Sequence, residues 1–355
     1  MSFHSFSFTL LCLTLMVSGC AESPKVFRLN TTSQTTPKTW PSSSEKPRYV
    51  YVGELTGENN FQTENPENKG TTVKFFEWLT GLTGEHDNPV ELQRPQSGVV
   101  DTQGRVYVTD IGRAAVFVFD KPAAQLKIWG LAREDTGFVT PIGIALGAQG
   151  ELLVADADLH SVFRLDINGK PVGEFGKDVL KRPTGLARDP NNGRIYVADT
   201  HAHNIKVFSD EGKLLEVIGK RGENDAQFNS PTFLAFASDK LYVTDTLNSR
   251  IQVLDTHGKM LKKFGRRGLY IGNLVRPKGV AVDSESNIYV IESLYDNLLI
   301  YDEQGRTLMA LGGTGKDTGE FYLPSGVWID SNDQIYVADM FNGRITVLQF
   351  LGGAK

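Results

Sequence analysis

The chain has 355 residues, 40% of them apolar and 22% charged, with 36 glycines, 15 prolines and two cysteines. That is enough apolar material for a full core, and one large domain absorbs nearly all of it. A formal net charge of −5 leaves no electrostatic footprint for nucleic acid, and two cysteines cannot build a disulfide framework.

Residues 7–19 form a short apolar stretch, too short to span a bilayer but suited to a signal peptide, so 1–19 is read as a leader. The stretch ends in Val17-Ser18-Gly19-Cys20, which resembles a bacterial lipobox. The resemblance implies cleavage before Cys20 and lipidation of that cysteine. Ala21 stands where an inner-membrane retention aspartate would be, which implies the outer membrane. The leader departs from the pattern in carrying His4 but no Lys or Arg before its apolar stretch; a plain secretory peptide is the alternative. Cys12 leaves with the leader and Cys20 is consumed, so the mature chain has no free thiol.

Residues 20–47 are rich in Ser, Thr and Pro and are expected to be a flexible tether. As a coil, such a segment spans roughly 30 Å. Residues 49–55, Tyr-Val-Tyr-Val-Gly-Glu-Leu, read as a strand. The tail after it, Thr56 to Phe61, resembles Gly222 to Phe228, which follows a fourth strand later in the chain. Residues 56–93 form one large insertion, in which Lys74-Phe75-Phe76-Glu77-Trp78-Leu79 has aromatics at short-helix spacing. That stripe is read as packing at one mouth of a ring, with a partner-binding knob as the alternative.

From Pro95 onward a unit recurs six times. Each copy reads Pro-x-Gly or a variant, an apolar strand, then Ile-Tyr-Val-Ala-Asp or a variant. The prolines are Pro95, Pro141, Pro183, Pro231, Pro277 and Pro324, and the closing acids are Asp110, Asp156, Asp199, Asp245, Glu292 and Asp339. A period in the forties built of short strands predicts a β-propeller. The third unit shows four strands: Pro183 to Asp189, Ile195 to Asp199, Ile205 to Phe208 and Leu214 to Gly219, joined by short polar turns. Asp166 to Gly169, Asp255 to Gly258 and Asp302 to Gly305 are equivalent turns elsewhere. The last unit stops after its third strand, Arg344 to Gln349. Residues 49–55 are therefore predicted to supply the missing strand and close an all-β, six-bladed propeller over 48–355, removing two exposed sheet edges.

The units resemble the NHL repeat, a family of six-bladed propellers. The resemblance covers residues 95 to 350 and rests on the loop after the second strand, where the family tends to place Asn-His. Here the loop appears as Asp156-Ala157-Asp158-Leu159-His160-Ser161, Asp199-Thr200-His201-Ala202-His203-Asn204, Asp245 to Arg250 and Asp339 to Arg344. The first and fifth copies depart most.

Enzymes on similar scaffolds resemble zinc or calcium lyases and calcium lactonases, which need metal ligands around the axis. The residues after the six prolines are Gln96, Ile142, Thr184, Thr232, Lys278 and Ser325, a set without His, Asp or Glu and so a poor axial metal site. His160, His201 and His203 are the one clustered histidine set. They are weighed as metal ligands against the reading that His160 and His203 hydrogen-bond between blades at the family's name-giving position. The acidic ring is weighed as a calcium site against carboxylates that cap turns by accepting backbone N–H bonds. Arg94, Arg182 and Arg276 precede the prolines of blades one, three and five, with Lys278 beyond the last. On one face they would favour a carboxylate or phosphate; otherwise they are merely solvated. Lys262-Lys263 with Arg266-Arg267 reads as an exposed edge and loop.

The expected function is non-catalytic: a monomeric lipoprotein without cofactor, anchored at Cys20 in the outer membrane facing the periplasm. It would bind an envelope protein or a small anionic ligand through Arg94, Arg182, Arg276 and Lys278. The alternative from another class is a metal-dependent lyase or lactonase; a structural spacer is a third.

Overall fold

The computed structural model describes residues 24–31, 37–42, 46–63 and 89–352. The leader, Cys20 and the Lys74–Leu79 stripe lie outside the described residues.

Six antiparallel sheets follow one another around an axis. Blade three is Pro183–Asp189, Arg194–Asp199, Asn204–Phe208 and Leu214–Ile218, paired in that order. Blades one, two, four and five repeat the four-stranded order, starting at Pro95, Pro141, Pro231 and Pro277. In these five blades the proline is the first residue of the innermost strand, where no ladder N–H is lost. Blade six has Val327–Ile329, Gln334–Asp339 and Arg344–Phe350, and its fourth strand is Tyr49–Leu55, with Ile345 opposite Leu55 and Phe350 opposite Tyr49. The ring closes as the truncated last unit predicts.

The second strands are buried on both faces, because each is sandwiched between neighbouring blades. The core is accordingly a set of wedges between blades. Ala145, Leu153, Val162 and Phe175 of blade two, for example, meet Leu186, Ile195, Val197 and Phe208 of blade three. A fully buried side chain of this size contributes about 1.5–3 kcal/mol. The predicted turns are present: Asp166 accepts from Asn168 and Lys170 N–H, and Asp255 from His257 and Lys259 N–H. Gly169 and Gly258 end these turns at φ +83°, a left-handed conformation that favours glycine.

Two features depart from the expectations. A short hairpin, Leu131–Arg133 with Thr136–Gly137, sits between blades one and two. The described parts of 20–47 are also not a free tether. Lys25–Phe27 pairs with Phe61–Thr63, and Thr39–Trp40 adds a fifth strand outside Tyr49–Leu55. Between these strands, Asn30 and Glu54 exchange backbone hydrogen bonds. The Ser/Thr/Pro-rich average hides Val26, Phe27, Leu29 and Trp40. Phe27 packs 5.5 Å from the Phe61 ring, and Trp40 packs against the wedge between blades five and six. The segment also covers part of an outer strand edge that would otherwise stand unpaired.

Candidate binding site at the proline mouth

The channel has two mouths. At the proline mouth the inner strands begin, and the loops after the second strands end at the same level. The acidic ring organises this mouth. All six carboxylates are buried, and each takes backbone N–H bonds from the segment before its own blade's proline. Asp110 accepts from Gln93 and Arg94 N–H, and also from Gly112 and Arg113. Asp156 does the same for Val139 and Thr140, Asp199 for Lys181 and Arg182, and Glu292 for Val275 and Arg276. Asp245 and Asp339 accept from Asn229 and Tyr322. Asp110, Asp156 and Glu292 cap their own turns through backbone N–H bonds, Asp199, Asp245 and Asp339 do not, and every acid staples a residue about 17 positions upstream. Three acids additionally hold a cation from the third strand: Lys206, Arg250 and Arg344. Burial pushes the Glu292 and Asp339 carboxyls above the usual carboxylate range, against the pull of their N–H donors.

The residue four beyond each acid has a left-handed backbone: Ala114, His160, His203, Ser249, Asp296 and Gly343, with φ from 50° to 63°. Non-glycine residues there are mostly Asn, Asp or His types that tolerate this region. From it, four side chains reach the next blade. His160 Nδ1 lies 2.6 Å from the Lys181 carbonyl, and His203 Nδ1 accepts from Ser230 N–H at 3.0 Å. Ser249 donates to the Val275 carbonyl, and Asp296 accepts from Leu323 N–H. His160 and His203 are thus engaged between blades. Among the described residues, no group of three or more His, Cys, Asp or Glu is placed to hold a metal.

The basic residues are equivalent in position but not in environment. Arg182 is paired with Asp158 of the preceding blade at 2.6 Å. Arg94 lies over the Phe341 ring at 5.2 Å, and Phe341 in turn meets Tyr322 at 5.5 Å. Arg276 is exposed, and among the described residues neither its guanidinium nor Lys278 Nζ has an ion pair or hydrogen bond. Burial, then the neighbouring Arg276 charge, pulls the Lys278 amine below its ordinary value. The mouth is therefore asymmetric. Blades two and three present the Arg182–Asp158 pair and the engaged His160 and His203, with exposed Val139, Val179 and Lys181 and, among the described residues, no exposed Phe, Tyr or Trp. Blades four, five, six and one carry Arg276, Lys278 and Arg94 together with exposed Leu247, Leu294, Tyr295, Tyr322 and Phe341.

Sequence reasoning missed this apolar arc. The signal was available as large apolar side chains in otherwise polar loops after the second strands. It also missed Leu269, Tyr270 and Ile271, exposed by 85%, 83% and 77% in the loop leaving blade four beside Arg266 and Arg267.

These features define a class: a six-bladed β-propeller whose loop-bearing mouth is built to present side chains. More narrowly, parts of the chain resemble known propeller repeats. Residues 180–208 match the NHL repeat family, and residues 273–353 match a family described as a 6-bladed beta-propeller. The rat peptidylglycine alpha-amidating monooxygenase is 31% identical over 113 residues, 28% of this chain and 12% of that protein. The chain thus aligns with about an eighth of that relative's length. Among solved structures, an auxiliary nutrient binding protein from Bacteroides thetaiotaomicron aligns at 13% identity with a TM-score of 0.60, covering 74% of this chain and 70% of its own. A Xanthomonas campestris gluconolactonase aligns at 16% identity with a TM-score of 0.56, covering 75% and 90%. At these identities the structural likenesses show the fold alone.

Proposed function

We propose that the protein is a non-catalytic binding module of the cell envelope, and that its proline mouth docks an acidic protein surface. The observation that carries this reading is the arc from blade four to blade one. There, unpaired Arg276 and Lys278, and Arg94 on the Tyr322–Phe341 pair, stand among exposed apolar side chains. Arginine with aromatics is the chemistry of protein-interface hot spots. Cations lacking intramolecular partners favour carboxylates, so a small anion is the minimal version of the same ligand. A structural neighbour described as nutrient-binding is consistent with a binding role for the scaffold.

The apolar stretch at 7–19 and the Val17-Ser18-Gly19-Cys20 motif support placement as an outer-membrane lipoprotein facing the periplasm, anchored at Cys20. The test is capture of envelope proteins by the full chain, with a polyglutamate peptide as the defined competitor. Combined alanine replacement of Arg94, Arg182 and Arg276 is expected to weaken capture at least about tenfold, and unchanged capture would sink the anionic-partner reading. In the same strains Cys20→Ser should release the protein from the membrane fraction; retention there would refute the anchor.

A further inference from the structure

The opposite end of the channel is a different object. There the inner strands of all six blades enclose a cavity of about 480 Å³, within the size range of small-molecule sites. Its wall is mostly aliphatic and aromatic, including Val99, Ile144, Leu186, Phe236, Val282 and Trp328. It opens at the rim formed by Leu146, Gly147, Arg188, Pro190 and Ala237, at or just beyond the far ends of the inner strands. None of the residues that follow the prolines lines it.

The charge on this wall is cancelled. Arg188 donates from Nε and Nη2 to the two carboxylate oxygens of Asp210 at 2.7 and 2.6 Å. That leaves nothing to hold an anion, in contrast to the proline mouth. One wall residue is unusually accommodated. The Trp328 indole stacks on Tyr336 with ring centres 5.6 Å apart, and Gly98 makes room for it, since a Cβ there would lie 2.3 Å from the ring. Trp328 is more than nine-tenths buried, and its Nε1–H, closed off from both cup and solvent, has no acceptor among the described residues. An indole donor in an apolar wall normally finds a partner.

We infer that this far-mouth cup is a second binding site, for a neutral and largely apolar small molecule, aliphatic or aromatic. Apolar wall area supplies the binding, because water in such a cup has few polar partners to hold it. The site is independent of the docking surface proposed above, and either can fail alone.

The test is titration of the full chain with N-phenyl-1-naphthylamine, a neutral aromatic probe, read by its fluorescence. Saturable binding with one probe per chain is expected, unchanged in Arg276→Ala. Ala235→Trp, which fills the cup, should weaken binding about tenfold or more. Ile329→Lys, which places a charge on the wall, should do the same and serves if the first variant does not fold. Absence of saturable binding, or binding indifferent to Ala235→Trp and Ile329→Lys, would overturn the proposal. Loss of binding in Arg276→Ala would move the site to the proline mouth and overturn it equally.

Discussion

The two mouths of the ring are made by the same six strands, yet they differ in every physical respect. At the proline mouth the strands crowd together. Gly143, Gly185, Gly279 and Gly326 each face the backbone of the next blade's inner strand, so closely that a Cβ would meet backbone atoms at 1.9 to 2.6 Å. Hydroxyls bind across these seams: Thr109 to the Ile142 carbonyl, Thr200 to that of Pro231, and Thr244 to that of Lys278. Toward the far mouth, large aliphatic residues replace the glycines, and a cup opens. Position along one short strand thus divides the labour. Small and hydroxyl-bearing residues close the ring and support a charged rim, whereas bulky residues three to five places on leave an apolar hollow.

The largest effect on this contrast should come from removing a staple. Asp245 accepts from Asn229 N–H, Asn248 Nδ2, Arg250 Nε and Gln252 Nε2. Asp245→Ala would strand a buried arginine and an amide, and should destabilise the fold by about 3–5 kcal/mol in chemical denaturation. A loss below about 1 kcal/mol would mean that the carboxylate ring is dispensable.

Next in size is the glycine seam. Gly143→Ala would place Cβ 1.9 Å from the Thr184 carbonyl oxygen, and overpacking of that kind costs about 1–3 kcal/mol. Val282→Ala, at the far cup, should cost only about 1 kcal/mol or less, since its side chain is half-buried against a hollow. Equal costs in the two variants would remove the distinction between a tight mouth and an open one.

The smallest expected effect is a pH dependence between blades three and four. Burial first, then the charges of Arg221 and His201, hold the His203 imidazole below its ordinary value of 6.5. Its Nδ1 accepts from Ser230 N–H, which requires the neutral ring. The unfolded chain therefore takes up the proton first. Stability should be unaffected above pH 6.5 and decline as pH falls from 6.5 through the depressed folded value. His203→Asn keeps a residue suited to the left-handed backbone and should flatten that slope in thermal melts; an unchanged slope would assign the titration elsewhere.

Much of this architecture was legible in the chain. Six in-phase copies specify six blades, and a last unit without its fourth strand points to Tyr49–Leu55, because an unpaired edge must be filled. The type of the acidic ring was readable as caps. Its upstream partners were not, since backbone donors leave no mark in a side-chain pattern. The standing of the arginines was also hidden. Arg182 meets Asp158 only because the loop of blade two abuts the entry of blade three, a contact between residues 24 apart that only the closed ring creates. The wrapped segment around Phe27 and Trp40 was obscured by its composition, because four apolar side chains suffice for packing without raising the average.

Blade count, closing strand and the chemistry available at each repeat position are already set in the chain, because they follow from period, strand pattern and the cost of an open edge. Which cations remain unpaired, which carboxylate meets which loop, and the contrast between a tight mouth and a hollow one arise from the packing of the closed ring. Those outcomes depend on distances between neighbouring blades, which local propensity does not encode.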